Sequence, residues 1–148
     1  MSEEVLVLAS QSPRRRRLLE MLGISHVVHP VEVDERVRAG ENPEHYACRL
    51  AREKAGAGSQ QHPGRWVLGA DTVVVLGSDI LGKPQSTVEA ESMLTRLAGN
   101  RHRVITAVAL VRGDQIHEAR DVTTVWFRRM TSEMVRDYVR TGEAMDKA

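Results

Sequence analysis

Apolar positions recur with two different periods along this chain, and the changes of period mark its elements. Val5–Ser10 (VLVLAS) is short and almost wholly apolar, which predicts a buried strand. Ser12 supplies a helix N-cap and Pro13 fits the first helical position, so a helix opens there, runs to about Leu22 and stops at Gly23. HVVHPVEV is β-like but broken by Pro30, which predicts an edge strand. Asn42-Pro43 repeats the cap-then-proline signal and opens a helix through about Ala57. WVLGADTVVVL reads as a strand, turned back by Gly77-Ser78-Asp79 into ILGKP. Ser86-x-x-Glu89 is a capping box ahead of TVEAESMLTRLAG. HRVITAVALVR and IHEARDVTTVWFRR form a hairpin across Gly113-Asp114, and SEMVRDYVR is a last helix, ended by Gly142. Strands and helices alternate in the first half and a hairpin occupies the second. The pattern predicts one α/β domain over residues 1–148, with a mixed central sheet flanked by helices.

The helical period also divides the basic run Arg14–Arg17. At about 100° per residue from Pro13, the stripe expected to be buried is Leu18, Leu19, Met21 and Leu22. Arg15 falls near its centre and Arg14 near its margin. Arg16 and Arg17 fall on the far side, where Arg16 can pair with Glu20 at i,i+4. Cations in a first helical turn oppose the macrodipole. Two readings account for Arg14 and Arg15: an anion held between them and the free backbone N–H groups, or a partly buried arginine paired with a carboxylate.

Three other charges stand out against their surroundings. Lys54 continues the apolar face of Ala47, Leu50 and Ala51, so it either snorkels or points into a polar cleft. Asp71 interrupts the apolar strand Trp66–Leu76 beside Gly69, where an unpaired carboxylate is costly. Because TVVVL continues the strand, a metal ligand or general base is favoured there over a turn former. Asp34 and Glu35 in VDER are an acidic pair after a strand, ordinarily solvated, and Lys83 in GKP occupies a defined loop.

Composition narrows the classes. Lys+Arg 21 against Asp+Glu 20 leaves a net charge of +1, without the basic excess of a nucleic-acid binder. Aromatic residues make up 3%, so stacking platforms are scarce and the core rests on Leu, Val, Ala and Met. The single cysteine, Cys48, excludes an internal disulfide and is expected to be a buried small residue in a reducing compartment. Acidic residues before a short apolar run do not make a signal peptide, and no run approaches the ~20 residues of a membrane span. The cytoplasm is the expected location. There is no His-x-x-x-His helix, Cys/His cluster, P-loop or Gly-x-Gly-x-x-Gly, so any metal would be a hard cation on carboxylates, Mg²⁺ or Mn²⁺.

Taken in series, LASQSPRRRRLLEMLG, VDE, RLAREKA, GADTVV, GKP and GEAMDKA resemble the Maf family of nucleoside triphosphate pyrophosphatases over the whole chain. The resemblance implies a fold related to that of the inosine triphosphatases. It also implies hydrolysis between the α and β phosphates to a nucleoside monophosphate and pyrophosphate, with a divalent metal, Mg²⁺ or Mn²⁺. GADTVV, RVITAVAL and MDKA look like the branch acting on dTTP and UTP, rather than its sister preferring 7-methyl-GTP. By resemblance Asp71 is the catalytic base, and Glu35 and Asp71 are the metal-binding carboxylates. Ser10, Arg14, Arg15, Lys54 and Lys83 line the triphosphate site. Arg14 and Thr72 bear on base choice, and Asp146 and Lys147 belong to a later site motif. The expected partner is a nucleoside triphosphate, with no nucleic acid or membrane, and a homodimer stays open.

Members of the family continue after MDKA with Gly-Ala-Tyr-Gly-Ile-Gln-Gly and further strands, whereas this sequence ends at Ala148. The resemblance therefore implies a domain lacking its C-terminal strands and a glutamine used in base recognition, with an unpaired sheet edge. It also carries an alternative function: an inactive or regulatory nucleotide-binding protein linked to septum formation and cell division.

Overall fold

The structure, a computed structural model, describes residues 3–145. Its elements are β1 (Leu6–Leu8), α1 (Pro13–Met21), β2 (His26–Val28), α2 (Pro43–Gln61), β3 (Val67–Leu76), β4 (Asp79–Leu81), α3 (Thr87–Leu97), β5 (Arg101–Arg112), β6 (Gln115–Trp126) and α4 (Ser132–Arg140). The strands form one mixed sheet in the order β2-β1-β3-β5-β6, with β4 paired to β3. β1 lies parallel to both β2 and β3, with Leu8 opposite Val28 and Leu68. The α/β class expected from the alternating pattern is the class found. Among the described residues no helix is long and apolar enough to cross a membrane.

The chain divides into two compact units. The first comprises the residues up to Asp71 with Thr106–Asp121; the second comprises Thr72–Ile105 with the residues from Val122 on. In the first unit, Val7, Ala9 and Val67 form a core cluster with Val31 against it. α2 packs closely because its buried face is small: Ala47, Ala51, Ala55 and Gly58 are all buried. A Cβ added at Gly58 would meet a Val67 methyl at 2.7 Å and Ala9 Cβ at 3.3 Å. That packing carries α2 through Gly56 and Gly58 to Gln61, one turn beyond the predicted end, against glycine's low helix propensity.

Gly69 is the tightest approach. A Cβ there would run into the Ala51 carbonyl and the Ala55 backbone nitrogen of α2. Gly69→Ala is therefore expected to destabilise the protein by at least about 1–3 kcal/mol, the usual cost of overpacking, because helix backbone must move. Denaturant unfolding measures it, and an unchanged midpoint would contradict this packing.

In the second unit, Ala90 and Leu94 of α3 pack on Val135 and Val139 of α4, with Phe127 and Met130 alongside. The Ser86 hydroxyl accepts from the Glu89 amide at 3.1 Å, while the Glu89 carboxylate takes the Gln85 amide rather than that of the cap residue.

Two expectations fail. In α1 only Leu19 is buried; Leu18, Met21 and Leu22 are 56%, 76% and 72% exposed. The helix has nine residues, and of the four-residue stripe only Leu19 is covered by described surface. Cys48 is half-buried rather than buried. β6, at the other end of the strand order from β2, is exposed at every position except the half-buried Val125, and it carries Glu118, Arg120 and Asp121 along its length. Two of these charges pair with α2, Glu118 with Arg52 and Arg120 with Glu44, each at 3.4 Å.

Candidate functional site

β1 ends and α1 begins within a few residues, and this brings a strand end and a helix N-terminus together. Ser12 caps α1, accepting from the Arg15 amide, and Pro13 fills the first helical position. Ser10 is buried at the end of β1, and its hydroxyl accepts from the Ser12 amide at 3.1 Å. The Arg15 guanidinium turns back over this corner. Its Nη1 donates to Ser10 Oγ at 3.2 Å and to the Ala70 carbonyl at 3.1 Å, one residue before Asp71. Crevices beyond the carboxyl ends of parallel strands are the usual ligand positions in α/β sheets; Ser10 lies just past the end of β1, and Asp71 lies in the part of β3 that runs on past its pairing with β1.

Asp71 is 8% exposed within β3. Lys54 on the inner face of α2 reaches it, with Nζ to Asp71 Oδ1 at 3.1 Å. The same ammonium lies 2.9 Å from Glu35 Oε1, so one lysine bridges two carboxylates. Gly69 permits this meeting, because it lets α2 close on β3 two residues before Asp71. The other Asp71 oxygen, Oδ2, is buried with no hydrogen-bond partner.

Burial pushes the Asp71 carboxyl above its ordinary range; the Lys54 charge and hydrogen bond oppose that, the Glu35 charge adds to it, and Arg15 opposes it again. Burial lowers Arg15 from its usual value, against the attraction of Asp71.

The two carboxylates and the unpartnered Asp71 oxygen suit a hard divalent cation. The described residues contain no group of three or more His, Cys, Asp or Glu side chains fit to hold a metal. Mg²⁺ commonly takes only one or two protein carboxylates and completes its shell with water and substrate phosphates, so a two-carboxylate site fits that pattern.

The structure brings Ser10, Arg15, Glu35, Lys54 and Asp71 into one cluster. Lys54 occupies the polar-cleft alternative, not the snorkelling one. Arg14 is exposed in the first turn of α1, and Arg16 pairs with Glu20 at 3.3 Å on the exposed side, as the helical period predicts. Asp34 separates from its neighbour Glu35: it chelates Arg36 on the surface, and that contact holds its carboxyl well below the usual range. Thr72 is half-buried and, by strand alternation, projects from the opposite face of β3 to Asp71; Lys83 is exposed in the loop after β4. Asp146 and Lys147 lie outside the described residues.

Two residues absent from the sequence reading touch the segment that carries Glu35. Tyr46 Oη donates to the Glu35 carbonyl at 2.6 Å, and Arg49 Nη2 donates to the Arg36 carbonyl at 2.9 Å. Their signal was a second helical stripe, Tyr46-x-x-Arg49-x-x-x-Glu53, beside the apolar one.

A family model described as Maf-like protein matches residues 5–148. Similar curated proteins include a dTTP/UTP pyrophosphatase of Symbiobacterium thermophilum, 50% identical over 97% of this chain and 74% of the relative. Another dTTP/UTP pyrophosphatase, from Myxococcus xanthus, is 49% identical over 99% of this chain and 74% of its own length. The relatives are thus longer than the 148 residues of this chain. Among solved structures, the Ham1 protein of Staphylococcus aureus superposes with a TM-score of 0.58 at 16% identity, covering 82% of this chain and 70% of that one. Protein VC0702 of Vibrio cholerae gives 0.51 at 14% identity, over 97% and 81%. At such identities these two similarities concern the fold.

Proposed function

The chain belongs to the Maf-like protein family, and from that premise we propose that it is a nucleoside triphosphate pyrophosphatase acting on dTTP and UTP with a divalent metal. The observation that carries the reading is Lys54 bridging Glu35 and the buried Asp71, whose second oxygen has no hydrogen-bond partner. Phosphoanhydride cleavage needs negative charge offset on the phosphates and a positioned water, and little else.

Glu35 and Asp71 would hold Mg²⁺ or Mn²⁺, which when bound supplies Lewis-acid charge to the phosphate oxygens. Asp71 is the base. It takes a proton from the attacking water as the water oxygen bonds to the α-phosphorus and the α–β bridging bond breaks, releasing pyrophosphate. Its raised proton affinity brings it closer to the working pH, where a general base is most effective. Lys54 offsets carboxylate charge, and family resemblance assigns it to the triphosphate as well. Arg14 and the first-turn N–H groups of α1 offer an anion seat at the end of β1. Arg15 Nη1 donates to Ser10 and the Ala70 carbonyl, which holds β3 against α1 and sets positive charge near Asp71, beside the triphosphate site to which family resemblance assigns it. Lys83 and Thr72 are assigned to the phosphates and the base by family resemblance.

Incubation with dTTP, UTP, CTP or 7-methyl-GTP, with and without Mg²⁺ or Mn²⁺, tests the reading through pyrophosphate release. Metal-dependent release, greatest from dTTP and UTP, is expected. No metal-dependent release from any of the four would overturn it.

A further inference from the structure

Glu35 stands on a segment, His29–Asn42, with no strand or helix of its own, and its carboxylate is more than half exposed. Such a carboxylate is precise only if its backbone is. Four positions of this segment are tied to one stripe of α2. Tyr46, 8% exposed, donates to the Glu35 carbonyl, and Arg49, 7% exposed, donates to the next carbonyl, that of Arg36. Arg49 also chelates Glu41 with Nε at 2.6 Å and Nη2 at 2.9 Å. Glu41 accepts the Arg38 amide at 3.2 Å, and Glu53 joins Arg38 to Arg49. The Arg49 contact pulls the Glu41 carboxyl down to about 2, so this tie stays ionised through the neutral range.

We propose that Tyr46 and Arg49 are positioning residues that set Glu35 against Asp71 and thereby tune divalent-cation affinity, acting through backbone carbonyls without touching the cation or the nucleotide. The inference rests on the reading of Glu35 and Asp71 as the metal-binding pair. The register of α2 supports it: the helix that presents Lys54 to Asp71 also fixes the backbone of Glu35, so the two carboxylates are referred to one rigid element. Arg49 is suited to the task because a guanidinium can hold a carboxylate and a carbonyl at once in a fixed plane, which an ammonium cannot.

The test is titration of the full chain with Mn²⁺ alone, read as free Mn²⁺ by electron paramagnetic resonance, on the wild type, Tyr46→Phe, Arg49→Lys and Glu35→Gln. Tyr46→Phe keeps the buried ring and removes one donor. It is expected to weaken Mn²⁺ binding about 3- to 10-fold, the scale of one hydrogen bond, with turnover recovered at higher Mn²⁺ and the thermal midpoint little changed. Arg49→Lys is expected to weaken it further; should that variant not fold, Tyr46→Phe decides alone. If Glu35→Gln weakens Mn²⁺ binding and Tyr46→Phe does not, the positioning role is wrong and the metal pair stands. If Glu35→Gln leaves Mn²⁺ binding unchanged, the metal pair itself is wrong and the positioning role falls with it.

Discussion

Asp71→Asn is expected to lower kcat/KM at least about 10²-fold while leaving the protein no less stable at pH 7. The first half follows from removing the base. The second follows from burial, which raises the folded-state pKa of Asp71 more than Lys54 and Arg15 lower it. For an acid whose folded pKa is raised, the stability contribution is fully present below the unfolded value and is lost as pH rises through the folded one. At neutral pH the carboxylate is therefore the form that burial disfavours. Asparagine has nearly the same shape and carries no charge, and Lys54 keeps Glu35 as a partner. Denaturant midpoints taken across pH should show the wild type falling relative to the variant as pH rises above the ordinary aspartate value of about 4. Near-normal turnover in Asp71→Asn would remove Asp71 from the base role. A variant uniformly less stable than the wild type would show instead that the Lys54 pair outweighs burial.

Lys54→Met has the second largest expected effect, and its pH dependence runs the other way. The substitution keeps much of the side-chain volume but removes the ammonium bridging Glu35 and Asp71. Leaving one partner of a buried ion pair alone costs on the order of 3–5 kcal/mol when the charge persists, and less when the remaining group can neutralise. Asp71 can neutralise by taking a proton. With Lys54 gone, two of the causes that restrain its pKa disappear and burial acts with less opposition. The stability loss should be larger at pH 8 than at pH 5. The acid limb of kcat/KM should move to higher pH, and turnover at neutral pH should fall about 10²–10³-fold as charge stabilisation is lost. The pH–rate profile is the deciding measurement: an acid limb left in place would mean that Lys54 does not govern the protonation of Asp71.

The residues that carry these effects were visible in the sequence for a simple reason. Asp71 sits in an apolar strand and Lys54 on an apolar helix face, and charges in such places are expensive unless something meets them. Periodicity also separated Arg16, paired with Glu20 on the surface, from Arg15, which turns inward. The same wheel failed for Leu18, Met21 and Leu22. Periodicity says which residues share a face, whereas burial depends on how much surface a neighbouring element offers, and of the α1 stripe only Leu19 is covered. Glu35 was legible only as half of an acidic pair with Asp34, and no local rule says which of two adjacent carboxylates turns to a lysine nineteen residues away.

By itself the sequence determined the order and kind of the elements, their caps and turns, and the family. Those depend on spacing along the chain: Ser12-Pro13, Asn42-Pro43 and Gly113-Asp114 act through bonds to their own neighbours. Only the tertiary structure decided that Lys54 bridges Glu35 and Asp71, that Arg15 spends its hydrogen bonds on Ser10 and Ala70, and that Tyr46 and Arg49 hold the Glu35 backbone. Apart from Arg15 to Ser10, these contacts join residues 11 or more positions apart in the chain. The Lys54 bridge depends on Gly69, which without a side chain lets α2 close on β3 two residues before Asp71.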